Sequence, residues 1–223
     1  MFNDSIQTQV IGTLKIFDKD TGETLVKKRN AIHPGNMAYI IASALSGNET
    51  SVNVGGNPPK INWMAFGNGG TSSTTTLSYR SPKISEIYDG LPLSSSSSRL
   101  YSKTYQQQLI QNRVYAPGEE MDDGELVPNR TAKVKFRVDV SHTDYEDMVK
   151  LDKGISLPNT DSNNDAATVT AYTIDEIGLI SASEGSEMIE DKSLLVTHVT
   201  FHPVLLSANR TIVVDYTITI QIS

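Results

Sequence analysis

The longest apolar–polar alternation lies at the end of the chain. There Ile212, Val214, Tyr216, Ile218, Ile220 and Ile222 share one parity, and Thr211, Asp215, Thr217, Thr219 and Gln221 share the other, with Val213 the exception. A period of two with β-branched residues predicts a strand buried on one face and wet on the other. Ala171 to Leu179 (AYTIDEIGL) and Leu194 to Pro203 (LLVTHVTFHP) precede it, each bounded by turn residues. The last third therefore predicts successive antiparallel strands.

The same period runs through Thr131 to Val140, where Ala132, Val134, Phe136, Val138 and Val140 face one way and Lys133, Lys135, Arg137 and Asp139 the other. Near the start, VIGTLKIF and ETLVKKRNAI flank Asp18-Lys19-Asp20-Thr21-Gly22 and predict a β-hairpin with a solvated turn. The period changes only once. After Pro34-Gly35, Asn36 reads as an N-cap, and Met37, Ile40, Ile41, Ala44 and Leu45 form one helical stripe before Gly47. Ile61 to Phe66 reads as a buried strand running into Gly67-Asn68-Gly69-Gly70-Thr71, a turn expected to need several backbone positions with φ above zero.

Leu77 to Pro128 is the least regular stretch. It holds the Ser94–Ser98 tract, the Gln106–Gln108 run and the acidic cluster Glu119, Glu120, Asp122, Asp123 and Glu125. Arg99 to Tyr115 reads as extended, and its tyrosines have the amphipathic character enriched at interfaces. The expectation is one domain over residues 1–223, mainly β with one short α-helix, carrying a long extended arm or loop at about 81–130. Tyr101, Tyr105, Tyr115, Glu119, Glu120, Asp122 and Asp123 are the candidate interface residues. Further on, 142–157 is expected to include a short helical turn and 159–165 a loop.

Composition narrows the function classes. At 223 residues and 38% hydrophobic content the chain can bury a β-protein core, and its net charge of −7 argues against a phosphate-binding surface. Cysteine is absent, which removes disulfides and thiolate metal sites. The opening MFNDSIQTQV lacks the basic and apolar regions of a secretory signal, and no run of about 18 apolar residues occurs. Neither secretion nor membrane spanning is expected.

The candidate chemistry is thin. Asp18 and Asp20 have the spacing of a calcium loop, but the required glycine and terminal glutamate are missing. The Gly67–Thr71 turn lacks the Gly-Lys-Ser/Thr of a phosphate loop. His198 and His202 fall on one face of a strand roughly 13 Å apart, too far to share a metal ion. His33 and His142 read as turn or surface residues, and no Gly-x-Ser-x-Gly elbow is present. The carboxylates of 119–125 crowd one loop, whereas a catalytic pair must be held on rigid elements. Asp175 and Glu176 interrupt an apolar strand, so a buried member is expected to satisfy backbone amides or a neighbour's arginine. The expectation is no catalytic residue, no metal and no cofactor.

The order of several motifs resembles a group of tailed-bacteriophage virion proteins. These motifs are Lys28-Arg29-Asn30-Ala31-Ile32, the short helix, Phe66-Gly67-Asn68-Gly69-Gly70-Thr71, Asp175-Glu176-Ile177-Gly178-Leu179 and Phe201-His202-Pro203. The matched pieces cover roughly the first 80 and last 55 residues, and the arm has no counterpart. The resemblance implies an antiparallel, jelly-roll-like β-sandwich in the virion, assembled in the host cytoplasm. It implies a non-enzymatic structural subunit whose partners are other virion proteins and copies of itself, without fixing neck, tail, baseplate or capsid surface; tail or neck is the expected position. In that reading Leu77 to Pro128 and Met1 to Gln9 order against adjacent chains, and removing 94–125 leaves a folded core that no longer assembles. Alternatives are a capsid-decoration subunit or a receptor-binding module taking a host surface glycan on tyrosines such as Tyr88, Tyr101 or Tyr105. An enzyme acting on polysaccharide ranks last.

Overall fold

A computed structural model describes residues 7–46, 60–73, 76–83, 100–141, 144, 171–181, 193–207 and 210–223. In chain order the elements are β1 (Thr8–Asp18), β2 (Thr24–Ile32), α1 (Pro34–Ser46), β3 (Ile61–Gly67), β4 (Thr71–Ser73), β5 (Leu77–Tyr79), β6 (Lys103–Gln108), β7 (Gln111–Tyr115), β8 (Thr131–Val140), β9 (Ala171–Ser181), β10 (Leu194–Ser207) and β11 (Ile212–Ile222). The protein is mainly β, with one helix among the described residues and a strongly curled antiparallel sheet.

That sheet has nine strands in the order β6-β3-β9-β10-β2-β1-β11-β8-β7, while β4 and β5 form a separate two-stranded hairpin. Its two end strands are neighbours in sequence, because only Leu109 and Ile110 separate β6 from β7. So short a link spans at most about 10 Å, so the curl brings both ends of the sheet to one corner. Leu109 is buried at that corner and its N–H donates to the Asn62 carbonyl at 2.8 Å. β2 makes the opposite corner. Its first part pairs with β1, while Ala31 and Ile32 pair with His198 and Thr197 of β10. With strands changing partners at both corners, the apolar faces of the two halves meet. Leu14, Ile16, Phe136 and Tyr216 come from one half and Phe66, Ile177, Val199 and Phe201 from the other, in one core.

The alternation of β11 and of the second half of β8 holds, with Phe136, Val138, Val140, Ile212, Val214, Tyr216 and Ile218 buried. At the start of β8 it is reversed, Thr131 and Lys133 being buried and Ala132 and Val134 half-buried, where the loop carrying Glu125 covers the outer face. The helix differs in register. His33 is the cap, its Nδ1 accepting the Asn36 N–H at 3.2 Å, and Pro34 takes the first helical position, where no N–H is needed. His33 is thus buried rather than on a surface turn. Asn36 lies inside the helix, fully buried, with Nδ2 donating to the Leu195 carbonyl at 2.7 Å. This polar anchor sets an inward arc through buried Asn36, Met37 and Ser43 and half-buried Ile40, which leaves Ala44 exposed and Leu45 at 84% exposure.

Of the stretch expected as an arm, residues 100–130 supply both end strands and a folded loop, while 84–99 lie outside the described residues. Removing 94–125 would take away the corner itself. His142, residues 145–170 and the first six residues are likewise outside the described part, as is Gly47.

Candidate functional site

Two carboxylates are buried side by side in β9, Asp175 and Glu176. Strict alternation would send them to opposite faces, yet both reach the segment after β3. The reason is local. The β9–β10 ladder breaks between Thr200 and Val204, where Pro203 has no N–H to give, and β3 leaves β9 at the Gly67–Glu176 pair. The chain then crosses the end of β9, and three successive amides meet the two acids. Gly69 N–H donates to Glu176 Oε1 at 3.1 Å, Gly70 N–H to Asp175 Oδ1 at 2.7 Å and Thr71 N–H to Asp175 Oδ2 at 2.9 Å. The Thr71 hydroxyl also bonds Asp175. Gly67, Gly69 and Gly70 do not have positive φ, contrary to expectation. Glycine is needed for closeness: a Cβ on Gly70 would lie 2.4 Å from the Asp175 carbonyl oxygen.

Glu176 gathers two further segments. Ser102 N–H donates to Oε1 at 2.7 Å, and Tyr101 N–H donates to Oε2 at 2.9 Å. His198 Nε2 lies 3.0 Å from the same oxygen, and the Lys83 N–H donates to His198 Nδ1 at 2.8 Å. Because Nδ1 accepts, the ring proton is assigned to Nε2, which donates to Glu176. Burial pushes the Glu176 carboxyl up, but the His198, Ser102 and Tyr101 donors outweigh it and hold the group below its ordinary value. For Asp175 burial wins and the carboxyl is raised, despite the Thr71 and Gly70 donors. The cluster pins residues 69–71, 83 and 101–102 to β9 and β10, the amide-satisfying role expected from sequence. His198 is buried while His202 is exposed, since the bulge between them breaks the shared face.

The acidic loop between β7 and β8 folds back over the outer face of the sheet. Arg113 bridges Glu119 at 3.0 Å and Asp122 at 3.1 Å, Lys133 meets Glu125 at 2.8 Å, and Lys135 meets Asp122 at 3.3 Å. The fully buried Tyr115 donates to Asp122 Oδ2 at 2.8 Å and packs with Met121 and Val127. That hydroxyl, with Lys135 and Arg113, holds the Asp122 carboxyl below its ordinary value, while the Ala116 N–H and Arg113 do the same for Glu119. The β8 cations are thus largely matched by the chain's own acids.

No family model, curated protein or solved structure matches this chain. Function is therefore argued from geometry.

The candidate interface residues divide as follows. Tyr101 faces His198 with ring centroids 5.7 Å apart, and its hydroxyl donates to the Ser81 carbonyl at 2.7 Å. Tyr105 packs on Phe66 and bonds Asp144. Tyr115, Glu119 and Asp122 belong to the folded loop, as do Asp123, which accepts the Glu125 N–H, and Glu120, which bridges to Leu126. The open surface lies beside them. β7 pairs with β8 on one side and with no described strand on the other, and its Val114 is 65% exposed, with Ile110 before it 80% exposed. Periodicity could not find this edge, because it comes from the corner. Among the described residues no group of three metal-ligating side chains converges, and no helix is long and apolar enough to cross a membrane.

Proposed function

We propose that the chain is a non-enzymatic structural subunit of a tailed-bacteriophage virion, tail- or neck-associated, that works by assembly with copies of itself and with other virion proteins. The finer architecture in this reading is a β-sandwich, whose layers are the two halves that meet across the core. The observation that carries the proposal is the β7 edge. A strand with no described partner on one side and with exposed Ile110 and Val114 is a template for strand addition by a second chain. The motifs of the resemblance add support, since 67–71, 175–179 and 201–203 come together around the buried carboxylates.

Cysteine is absent from the chain, so Val114→Cys introduces a single thiol on that edge. Antiparallel pairing of β7 with β7 of a second copy about a two-fold axis at Val114 places the two thiols within disulfide reach, and a covalent dimer forms on mild oxidation. Failure to cross-link, with the thiol accessible to a small reagent and wild-type protein monomeric, would count against self-assembly through this edge. The glycan-binding alternative gains nothing from Tyr101 and Tyr105, whose hydroxyls bond within the chain.

A further inference from the structure

Register places two lysines of the outer sheet face directly opposite each other: Lys15 of β1 and Lys27 of β2. Like charges in such a pair destabilise a sheet unless something answers them. On the other side of Lys15 stands Asp215, but that carboxylate is taken by Arg137, through a fork at 2.6 and 2.7 Å, and by Lys135 at 3.2 Å. Lys15 instead extends over the Phe17 ring, 5.0 Å from its centroid. Among the described residues neither lysine meets a carboxylate.

Both lysines line a cavity of about 570 Å³ between the sheet and the acidic loop. The size suits a small molecule rather than a protein segment. Its walls have three chemistries: the unmatched ammoniums of Lys15 and Lys27; the hydroxyl-bearing Thr13 and Thr217, paired across β1 and β11; and a matched set of charges, the β8 cations against Asp122, Glu125 and Asp215, with Asp123 beside them on the loop. Because the β8 cations are taken by carboxylates, Lys15 and Lys27 are the place for a single anionic group. A molecule with one anionic end and a hydroxylated body fits all three, because its anion meets the lysines while its hydroxyls exchange hydrogen bonds with threonines and carboxylates.

We infer that this cavity binds a small acidic polyol, of the sugar-acid class, with its carboxylate between Lys15 and Lys27. Lys15 and Lys27 lie on β1 and β2, away from the side of β7 that has no described partner, and the test reads ligand binding rather than assembly. Microcalorimetry with the full chain uses D-glucuronate, with inorganic phosphate as an anion without the polyol and D-glucose as a polyol without the anion. Glucuronate binds saturably with a dissociation constant on the order of 1 mM, as a single charge-assisted anchor gives; phosphate binds more weakly and glucose not measurably. The Lys15→Gln/Lys27→Gln double variant loses about tenfold or more in affinity, and its ligand-free melting temperature is unchanged or higher because a like-charge pair has gone. Should the double variant misfold, Lys27→Gln at an exposed position carries the same test. Equal binding of glucose and glucuronate would overturn the inference, as would unaltered affinity in a folded variant. So would an absence of glucuronate binding with salt-sensitive self-association that Lys27→Gln abolishes, since the occupant would then be a second copy's acidic loop.

Discussion

Glu176 and His198 form a 3.0 Å hydrogen bond between side chains that are both completely buried. The pair sits where three separated segments converge, with Gly69, Tyr101 and Ser102 also donating to the same carboxylate. A carboxylate offers four lone-pair positions, and here four donors occupy them. The isosteric amide cannot serve all four, since its nitrogen is itself a donor.

Glu176→Gln should therefore destabilise the fold by about 2–3 kcal/mol, the range for charge-assisted hydrogen bonds lost in a buried setting. Urea denaturation measures it. A change below about 0.5 kcal/mol, the scale of ordinary surface substitutions, would mean the cluster is not a tie point.

Gly70→Ala and Gly22→Ala separate two reasons for glycine. At Gly70 the new methyl meets the Asp175 backbone oxygen, which cannot move without breaking β9, and the cost should exceed about 2 kcal/mol. At Gly22 the space is open but φ is 71°, so alanine should cost only about 1 kcal/mol through backbone strain. Comparable urea midpoints for the two variants would contradict the close-approach explanation.

Asp18 gives a pH test. Its Oδ1 accepts the Asp20 and Thr21 N–H groups at 3.0 and 2.9 Å, and its Oδ2 accepts Arg210 Nε at 2.7 Å, which ties the β1–β2 turn to the start of β11. The Thr21 amide and then Arg210 hold its carboxyl down from 3.8 to about 2. A depressed carboxyl contributes stability that is complete above the unfolded value and disappears as pH falls through the folded one. Asp18→Asn keeps the turn acceptor but loses the ion pair. The stability gap between wild type and variant should be widest above pH 4 and close between about pH 4 and 2. A gap constant across that range would rule out the carboxylate as its source.

The period-two faces of β11 and of the second half of β8 were legible because one local rule, alternation, decides which side is buried; at Thr131 and Lys133 the covering loop overrides it. The helix was legible in place but not in register: the pattern marked Asn36 as its cap, whereas His33 takes that role and Asn36 anchors the helix to β10. The turn at 18–22 read as solvated, yet its Asp18 is buried and bonded to Arg210. The corner at Leu109 and Ile110 could not be read, since composition there looks irregular and only the nine-stranded order shows that β6 and β7 end opposite sides of one sheet. The Lys15–Lys27 pair likewise depends on hairpin register, shifted by the irregularity at Ile16 and Phe17. The Asp175-Glu176 pair did carry a signal, charge inside an apolar run, but its partners are scattered along the chain, 22 residues away at His198, 75 at Tyr101 and 105 and 107 at Gly70 and Gly69.

The most direct test of the central claim is the mass of the purified chain by light scattering over a concentration series, compared with an Ile110→Lys/Val114→Lys variant. Charges on an edge strand block pairing without touching the core, so the variant should fold with stability within about 0.5 kcal/mol of wild type. The account predicts that wild-type mass rises with concentration and that the variant stays at the 24.4 kDa of one chain. Equal masses for the two proteins at every concentration would contradict assembly through β7.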